Sequence, residues 1–304
     1  PQMLHFIDTS EEGTHIRPYF WKMKRERDPE TLAVSYVKSG EKIYLRLFGK
    51  GPEYKFWGLW KTNIKLFATE KPREKFFLFG ADRMGRDMFS RVLYGTRISM
   101  SIGLVGVVIS LVLGVTLGGM SGYFGGRVDA VIQRLIEFVL SLPTIPIWLA
   151  LAASLPPSWP IYKQYFVITL IVSLVGWTEL GRVVRGRFLA MKNDDFVVAA
   201  RLDGASESRI IFRHMLPSLT SHIIASLTLA IPLMILAETG LSFLGFGLTP
   251  PAISWGVLLK EAQNIISISQ APWLFIPGGF VVLAVLSFNF LGDGMRDAAD
   301  PYGH

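Results

Sequence analysis

From residue 98 onward, long uncharged runs alternate with short charged ones, whereas the first 80 residues mix polar, charged and aromatic positions. Ile98 to Gly126 is 29 residues without a charge. A helix needs only ~20 such residues to cross a bilayer, so a first span is expected there. Arg127 and Asp129 interrupt the run. Phe138 to Tyr162 is a second uncharged stretch, entered through Pro143 and Pro146 and left at Pro156-Pro157. A third span is expected from Gln164 to Thr178 or Leu180, a fourth from Met215 to Leu236 or beyond, and a fifth from Ala271 to Leu291. The apolar stretch Thr239 to Leu259 could be counted as a sixth. Its polar residues and the Thr249-Pro250-Pro251 break point instead to a re-entrant or surface hairpin.

Composition supports the membrane reading. Half of the 304 residues are hydrophobic, 18% are charged, and the mean hydropathy is +0.38. The basic residues flank apolar spans and build no groove, so the net charge of +7 is read as lipid-headgroup and orientation charge, with no nucleic acid partner. With the N-terminus outside, the inner loops receive Arg127, Arg182, Arg185, Arg187, Lys192, Arg201, Arg209, Arg213 and Arg296, against Lys163 and Lys260 outside. That bias places the central polar segment and the C-terminus in the cytoplasm. The chain begins at Pro1 without an apolar leader, and a preceding membrane helix is expected to be missing.

Residues 1–78 are expected to form an extracytoplasmic segment, α+β or irregular. Thr31 to Val37 and Lys42 to Phe48 have strand character, and Gly49-Lys50-Gly51-Pro52 reads as a turn. Trp57, Trp60 and Phe67 follow in a stretch suited to packing on a membrane surface.

The polar segment Asp194 to Pro217 (DDFVVAARLDGASESRIIFRHMLP) lies between apolar runs and has its own order. Phe196 to Leu202 and Glu207 to Met215 can each form about two turns of helix. Asp203-Gly204-Ala205-Ser206 must bend between them, with Asp or Ser free to cap the second helix. Such a short hairpin needs a surface to fold against. It is either an ordinary basic loop or an element that docks a partner. Elsewhere, Gly114, Gly118 and Gly122, with Gly119 beside them, offer a smooth strip for close helix packing, and Pro232 is expected to bend the fourth span. Glu137, Glu179 and Glu238 lie in or beside apolar runs. Glu137 has Arg134 three residues away and Glu179 has Arg182 and Arg185 nearby. Glu238 has no basic neighbour in sequence, and is a candidate for the translocation path or for an inter-helix hydrogen bond.

Catalytic signatures are absent. No GxxxxGK[ST] phosphate loop, HExxH zinc pair or GxSxG elbow occurs, and there is no cysteine. No catalytic residue, bound cofactor or metal is expected in this chain. Proline-broken spans with sparse acids suit a conduit, and equally a proton-coupled carrier using Glu238 or Glu179.

Four ordered motifs narrow the choice. They are Phe79-Gly80-Ala81-Asp82-Arg83-Met84-Gly85-Arg86-Asp87 with Ser90-Arg91 and Tyr94-Gly95-Thr96-Arg97-Ile98-Ser99; Ala199-Ala200, Gly204-Ala205 and Leu216-Pro217; Glu238-Thr239-Gly240-Leu241-Ser242-Phe243-Leu244-Gly245; and Leu291-Gly292-Asp293-Gly294-Met295-Arg296-Asp297. Over about residues 79 to 303 the chain resembles the membrane subunits of binding-protein-dependent ABC importers, the C-type subunit of dipeptide and oligopeptide permeases in particular. Val198 stands where many family members have Glu. The resemblance implies an all-α integral membrane protein with the type I ABC importer transmembrane fold over residues 79–304, in the inner membrane. It implies a homologous B-type permease partner, two cytoplasmic ATPases that bind ATP and Mg, an extracytoplasmic solute-binding protein and a peptide substrate, with oligosaccharides as the alternative. It also implies that residues 194–217 are the ATPase-coupling loop, carried by Ala199, Ala200, Arg201, Asp203, Gly204, Ala205, Arg209, Leu216 and Pro217.

Overall fold

The computed structural model of the chain describes residues 4–10, 13–27, 34–56, 59–69, 76–156, 158–264 and 270–299. It divides into two compact units, Pro1–Arg91 and Val92–His304. Of the residues singled out in the sequence, Thr31, Trp57 and Pro157 lie outside the described ones.

Strand-forming residues in the first unit give a four-stranded antiparallel meander: β1 (His5–Ser10), β2 (Gly13–Arg27), β3 (Val34–Phe56) and β4 (Trp60–Thr69), in that spatial order. Alternation puts Phe20, Ile43 and Leu45 into one small core, with Leu4, Phe67 and Phe76 packed around it. The expected turn at Gly49–Pro52 is not one. β3 runs through it and absorbs the extra residues as a register shift between Lys50 and Tyr54. Proline has no N–H to give to a ladder, so its place in a strand is a bulge of this kind.

Asp82 ends this unit with a polar knot. Its Oδ1 accepts the backbone N–H groups of Met84 (2.9 Å) and Arg86 (2.8 Å), and its Oδ2 accepts Arg86 Nε (2.6 Å) and the guanidinium of Arg91. Burial works against the charge of Asp82. The backbone and side chain of Arg86, the charge of Arg91 and the Met84 N–H outweigh it and hold the carboxyl below its ordinary range.

The second unit is helical. Its principal helices are α1 (Met88–Phe124), α2 (Gly126–Ser141), α3 (Thr144–Ala153), α4 (Ile161–Met191) and α5 (Asp195–Leu202). After a bend come α6 (Glu207–Arg209), a π-helical turn (Ile210–Met215), α7 (Leu216–Ser218), α8 (Thr220–Leu244), α9 (Trp255–Lys260) and α10 (Ile276–Ala299). Among the described residues, four helical stretches are long and apolar enough to cross a membrane: Met88–Phe124, Ile161–Met191, Thr220–Leu244 and Pro272–Ala298. The expected second span is not one straight helix. Its residues, Phe138 to Tyr162, run from the end of α2 through α3, which meets α2 at an 85° bend, to the first residues of α4. The break lies at Leu142, whose extended backbone (φ −93°, ψ 137°) is what a residue preceding proline adopts. Pro146 then sits in the first turn of α3, where a missing N–H costs no helical hydrogen bond. α8 continues through Pro232 as one helix.

The glycine strip of α1 faces α4. A Cβ at Gly118 would run into the carbonyl oxygen of Gly181, and one at Gly122 would lie 2.6 Å from Phe188 Cβ. The two backbones therefore approach as closely as helices can. Trp177 fills the neighbouring space with Ile132 and Ile136 of α2, flanked by Leu113 and Leu117 of α1.

Candidate functional site: the 194–217 hairpin and the Glu238 cluster

The 194–217 segment is a hairpin with a buried side and an exposed side. Val197 and Ala200, three residues apart on one face of α5, pack with Ile210, Met215 and Leu219 against Leu180, Val184 and Phe188 of α4 and Tyr123 of α1. The opposite side leaves Leu202 (83% exposed) and Phe212 (65%) uncovered beside Phe196 and Val198. Arg201, Arg209 and Arg213 are exposed around them.

The bend is a Schellman-type helix end. Gly204 N–H donates to the carbonyl of Arg201 (3.1 Å) and Ala205 N–H to that of Ala200 (3.1 Å), closing the last turn of α5. Gly204 takes φ +73°, the left-handed conformation this motif requires. Ala200, Gly204 and Ala205 thus occupy linked positions of one cap, and Asp203 is the half-helical residue between them. Ala199 is exposed, Ala205 and Leu216 are half-buried, and Pro217 is the second residue of α7. Capping of the second helix by a side chain does not occur. Ser206 stands at the start of α6 without a side-chain cap, and its carbonyl instead accepts Ile210 N–H at 3.0 Å. The second helix itself is interrupted by the π turn, a widening that the sequence did not announce.

Glu238 of α8 is fully buried, and three serine hydroxyls converge on it. Ser242 Oγ and Ser254 Oγ each donate to Oε1 at 2.8 Å, and Ser99 Oγ of α1 donates to Oε2 at 3.3 Å. Each serine also accepts a backbone N–H: Ser242 from Leu248 (3.0 Å), Ser254 from Val257 (3.2 Å) and Ser99 from Trp255 (3.0 Å). An accepting hydroxyl with one proton to place can aim it at the carboxyl, so the cluster is satisfied throughout. It ties α1, the end of α8 and the start of α9 together. Trp255 adds a further tie, its indole N–H reaching the Val92 carbonyl at 3.1 Å.

Glu179 is elsewhere, exposed on α4. Among the described residues no ion pair reaches it, and its exposure removes the cost of an unpaired charge. Arg185, six residues on, lies well round the helix and turns to Asp129 of α2, at 2.6 and 2.7 Å. Ser121 of α1 also donates to Asp129 (2.5 Å), so one carboxylate joins three helices. Sequence reasoning missed this pair, because the partners are 56 positions apart. Glu137 keeps its local partner Arg134 at 3.3 Å, both exposed.

A membrane domain of crossing helices with an ordered hairpin between two of them is the architecture of an importer permease. Residues 114–302 match the family described as binding-protein-dependent transport system inner membrane component. The oligopeptide transport system permease protein OppC of Bacillus subtilis (strain 168) is 37% identical over 241 residues, 79% of this chain and 76% of that protein. The dipeptide transport system permease protein DppC of the same organism is 40% identical over 225 residues, covering 73% and 68%. A solved structure of the MetNI methionine ABC transporter in an inward-facing conformation superposes with a TM-score of 0.56 at 16% identity, over 70% of this chain and 98% of that one. The chain belongs to the binding-protein-dependent transport system inner membrane component family, and its helical unit has the type I ABC importer transmembrane fold. It is a membrane-spanning transport component, not an enzyme by itself.

Proposed function

We propose that this chain is one of two homologous permease subunits of an ATP-driven peptide importer, the subunit that takes the C-type position beside a B-type partner. Two cytoplasmic ATPases bind ATP and Mg and press on the 194–217 hairpin, and an extracytoplasmic binding protein hands peptide to the pathway. One observation carries the reading: the hairpin is fixed to α1 and α4 through its apolar side, while Leu202, Phe212 and three arginines remain exposed on the other. An element rigidly joined to membrane helices and presenting an apolar, basic face is built to pass force from a docked partner. The kinship with peptide permeases points to peptides as the solute.

In this reading the hairpin and the C-terminus are cytoplasmic and the N-terminal sheet is outside. A cysteine at exposed Ser39 of β3, in a chain that otherwise has none, then reacts with an impermeant thiol reagent in intact cells. The activity is tested by reconstituting the chain with its gene neighbours in liposomes and measuring peptide uptake. Vanadate-sensitive, ATP-dependent uptake without a proton gradient is expected. Oligosaccharide uptake in its place would change the substrate, and gradient-driven uptake without ATP would overturn the class.

A further inference from the structure

The outer half of the β3–β4 hairpin has one face rich in apolar side chains, with Lys50 at its edge opposite Ile64, and a reverse face rich in lysines. The register pairs Lys50 with Ile64, Lys55 with Lys61 and Phe56 with Trp60. With a period of two, Trp60, Ile64 and Leu66 share one face of β4 and Lys61 and Lys65 the other. Trp60 is 63% exposed, Ile64 51% and Leu66 43%. Phe67, the next aromatic along, turns inward and packs on Phe76 and Phe89. On the reverse face Lys55 stands directly across from Lys61, and both are exposed, as is Lys65. Among the described residues none of these three lysines has a carboxylate partner. A like-charge pair placed face to face opposes the hairpin it sits in, unless something negative lies over it.

We propose that this hairpin lies in the headgroup layer of the bilayer in which the chain itself is embedded. Trp60, Ile64 and Leu66 enter the acyl boundary and Lys55, Lys61 and Lys65 meet lipid phosphates. An aromatic and aliphatic face backed by lysines is the pattern of an interfacial element, and anionic lipid supplies the charge that the Lys55–Lys61 pair lacks. The bilayer is also the one partner always present, because β4 is covalently continuous with the membrane helices through α1. The inference does not depend on which leaflet is involved or on the transported solute.

The native chain has no cysteine, so single cysteines at Ile64, Leu66, Lys61 and Lys65 can each carry one nitroxide. The assembled permease is placed in nanodiscs of phosphatidylethanolamine and phosphatidylglycerol, and collisions with oxygen and with a water-soluble nickel chelate are compared. At Ile64 and Leu66 oxygen collisions should dominate, and at Lys61 and Lys65 nickel collisions should. Exchanging phosphatidylglycerol for phosphatidylcholine should raise nickel access at Ile64. Equal nickel access on both faces would overturn the proposal in favour of a solvated hairpin. Protection of Ile64 from both probes, unaffected by a lipid-borne quencher, would overturn it in favour of a protein cover.

Discussion

Ser254 and Glu238, sixteen residues apart, meet through a 2.8 Å hydrogen bond that fastens the start of α9 to the middle of the membrane unit. The same serine accepts Val257 N–H as the N-cap of α9, so one hydroxyl both starts a helix and anchors it. Glu238→Ala would leave three buried hydroxyl protons without their acceptor, at a cost of at least about 2 kcal/mol. Glu238→Gln keeps the volume and one oxygen. It should serve Ser242 and Ser254 and lose only the bond from Ser99, for about 1 kcal/mol. Thermal unfolding of the purified complex should rank wild type above Gln and Gln well above Ala, with ATP-dependent uptake largely retained in Gln. Abolished uptake in a Gln variant of normal abundance would mean that the charge itself is required.

The glycine strip makes a sharper contrast. Gly118→Ala sets a methyl against the Gly181 carbonyl, and no rotamer can relieve a clash with backbone. The helices must separate, at about 1–3 kcal/mol. Gly186, also in α4, has nothing within 4 Å of the place a Cβ would occupy. Gly186→Ala should be neutral or slightly stabilising through helix propensity. Equal melting temperatures for the two variants would show that α1 and α4 are not packed through this strip.

Asp82 gives the one pH-dependent expectation. Its folded carboxyl titrates below the ordinary 3.8, so the folded state binds this proton less readily than the unfolded chain. The stability it contributes is complete above the ordinary value and is lost as pH falls through the lower folded one. Hydrogen exchange of residues 80–91 should accelerate on acidification through that window. Asp82→Asn should exchange faster than wild type at neutral pH and show little further acid sensitivity. A wild-type segment whose protection is flat across the window would contradict the knot.

Periodicity made the spans legible, because a bilayer demands long uncharged runs and little else produces them. Ile98 to Gly126 sits wholly within the stretch of α1 and the residues just after it. What periodicity could not show was α1 continuing back to Met88, since its first turns carry Arg91 and Arg97 and look like a loop. The Gly204 bend was visible as Gly after a helical run, the ordinary C-terminal signal. The partners of Glu238 were not. Ser99 is 139 residues away, and a serine among many in apolar runs carries no mark of its contact. Asp129 and Arg185 stayed hidden for the same reason. Pro52 misled in the other direction, as a turn signal that a bulge absorbs.

The last expectation concerns Gly204 and separates backbone strain from bulk. Gly204 holds φ +73° at the end of α5, and a Cβ built there meets nothing within 4 Å. Within this chain, then, a side chain costs only the left-handed backbone, about 1 kcal/mol for most residues and less for Asn. Gly204→Asn should therefore assemble and transport nearly as wild type. Gly204→Ala should lose a little, and Gly204→Val, β-branched and least tolerant of this conformation, the most. The membrane helices lie outside the bend, so all three should insert and pair with the second permease subunit at normal abundance. Under the proposed coupling role of the hairpin, the difference should surface in ATP-driven transport. In liposomes Gly204→Val should show strongly reduced peptide uptake, with stimulation of ATP hydrolysis by loaded binding protein diminished or detached from transport. Arg201 and Arg209 cannot compensate, since single exposed ion pairs are worth at most about 1 kcal/mol. If Asn fails as badly as Val, the exposed space over Gly204 is filled by the partner and bulk is the cause. If Val transports and is stimulated as wild type, Gly204 is not the bend through which hydrolysis is coupled.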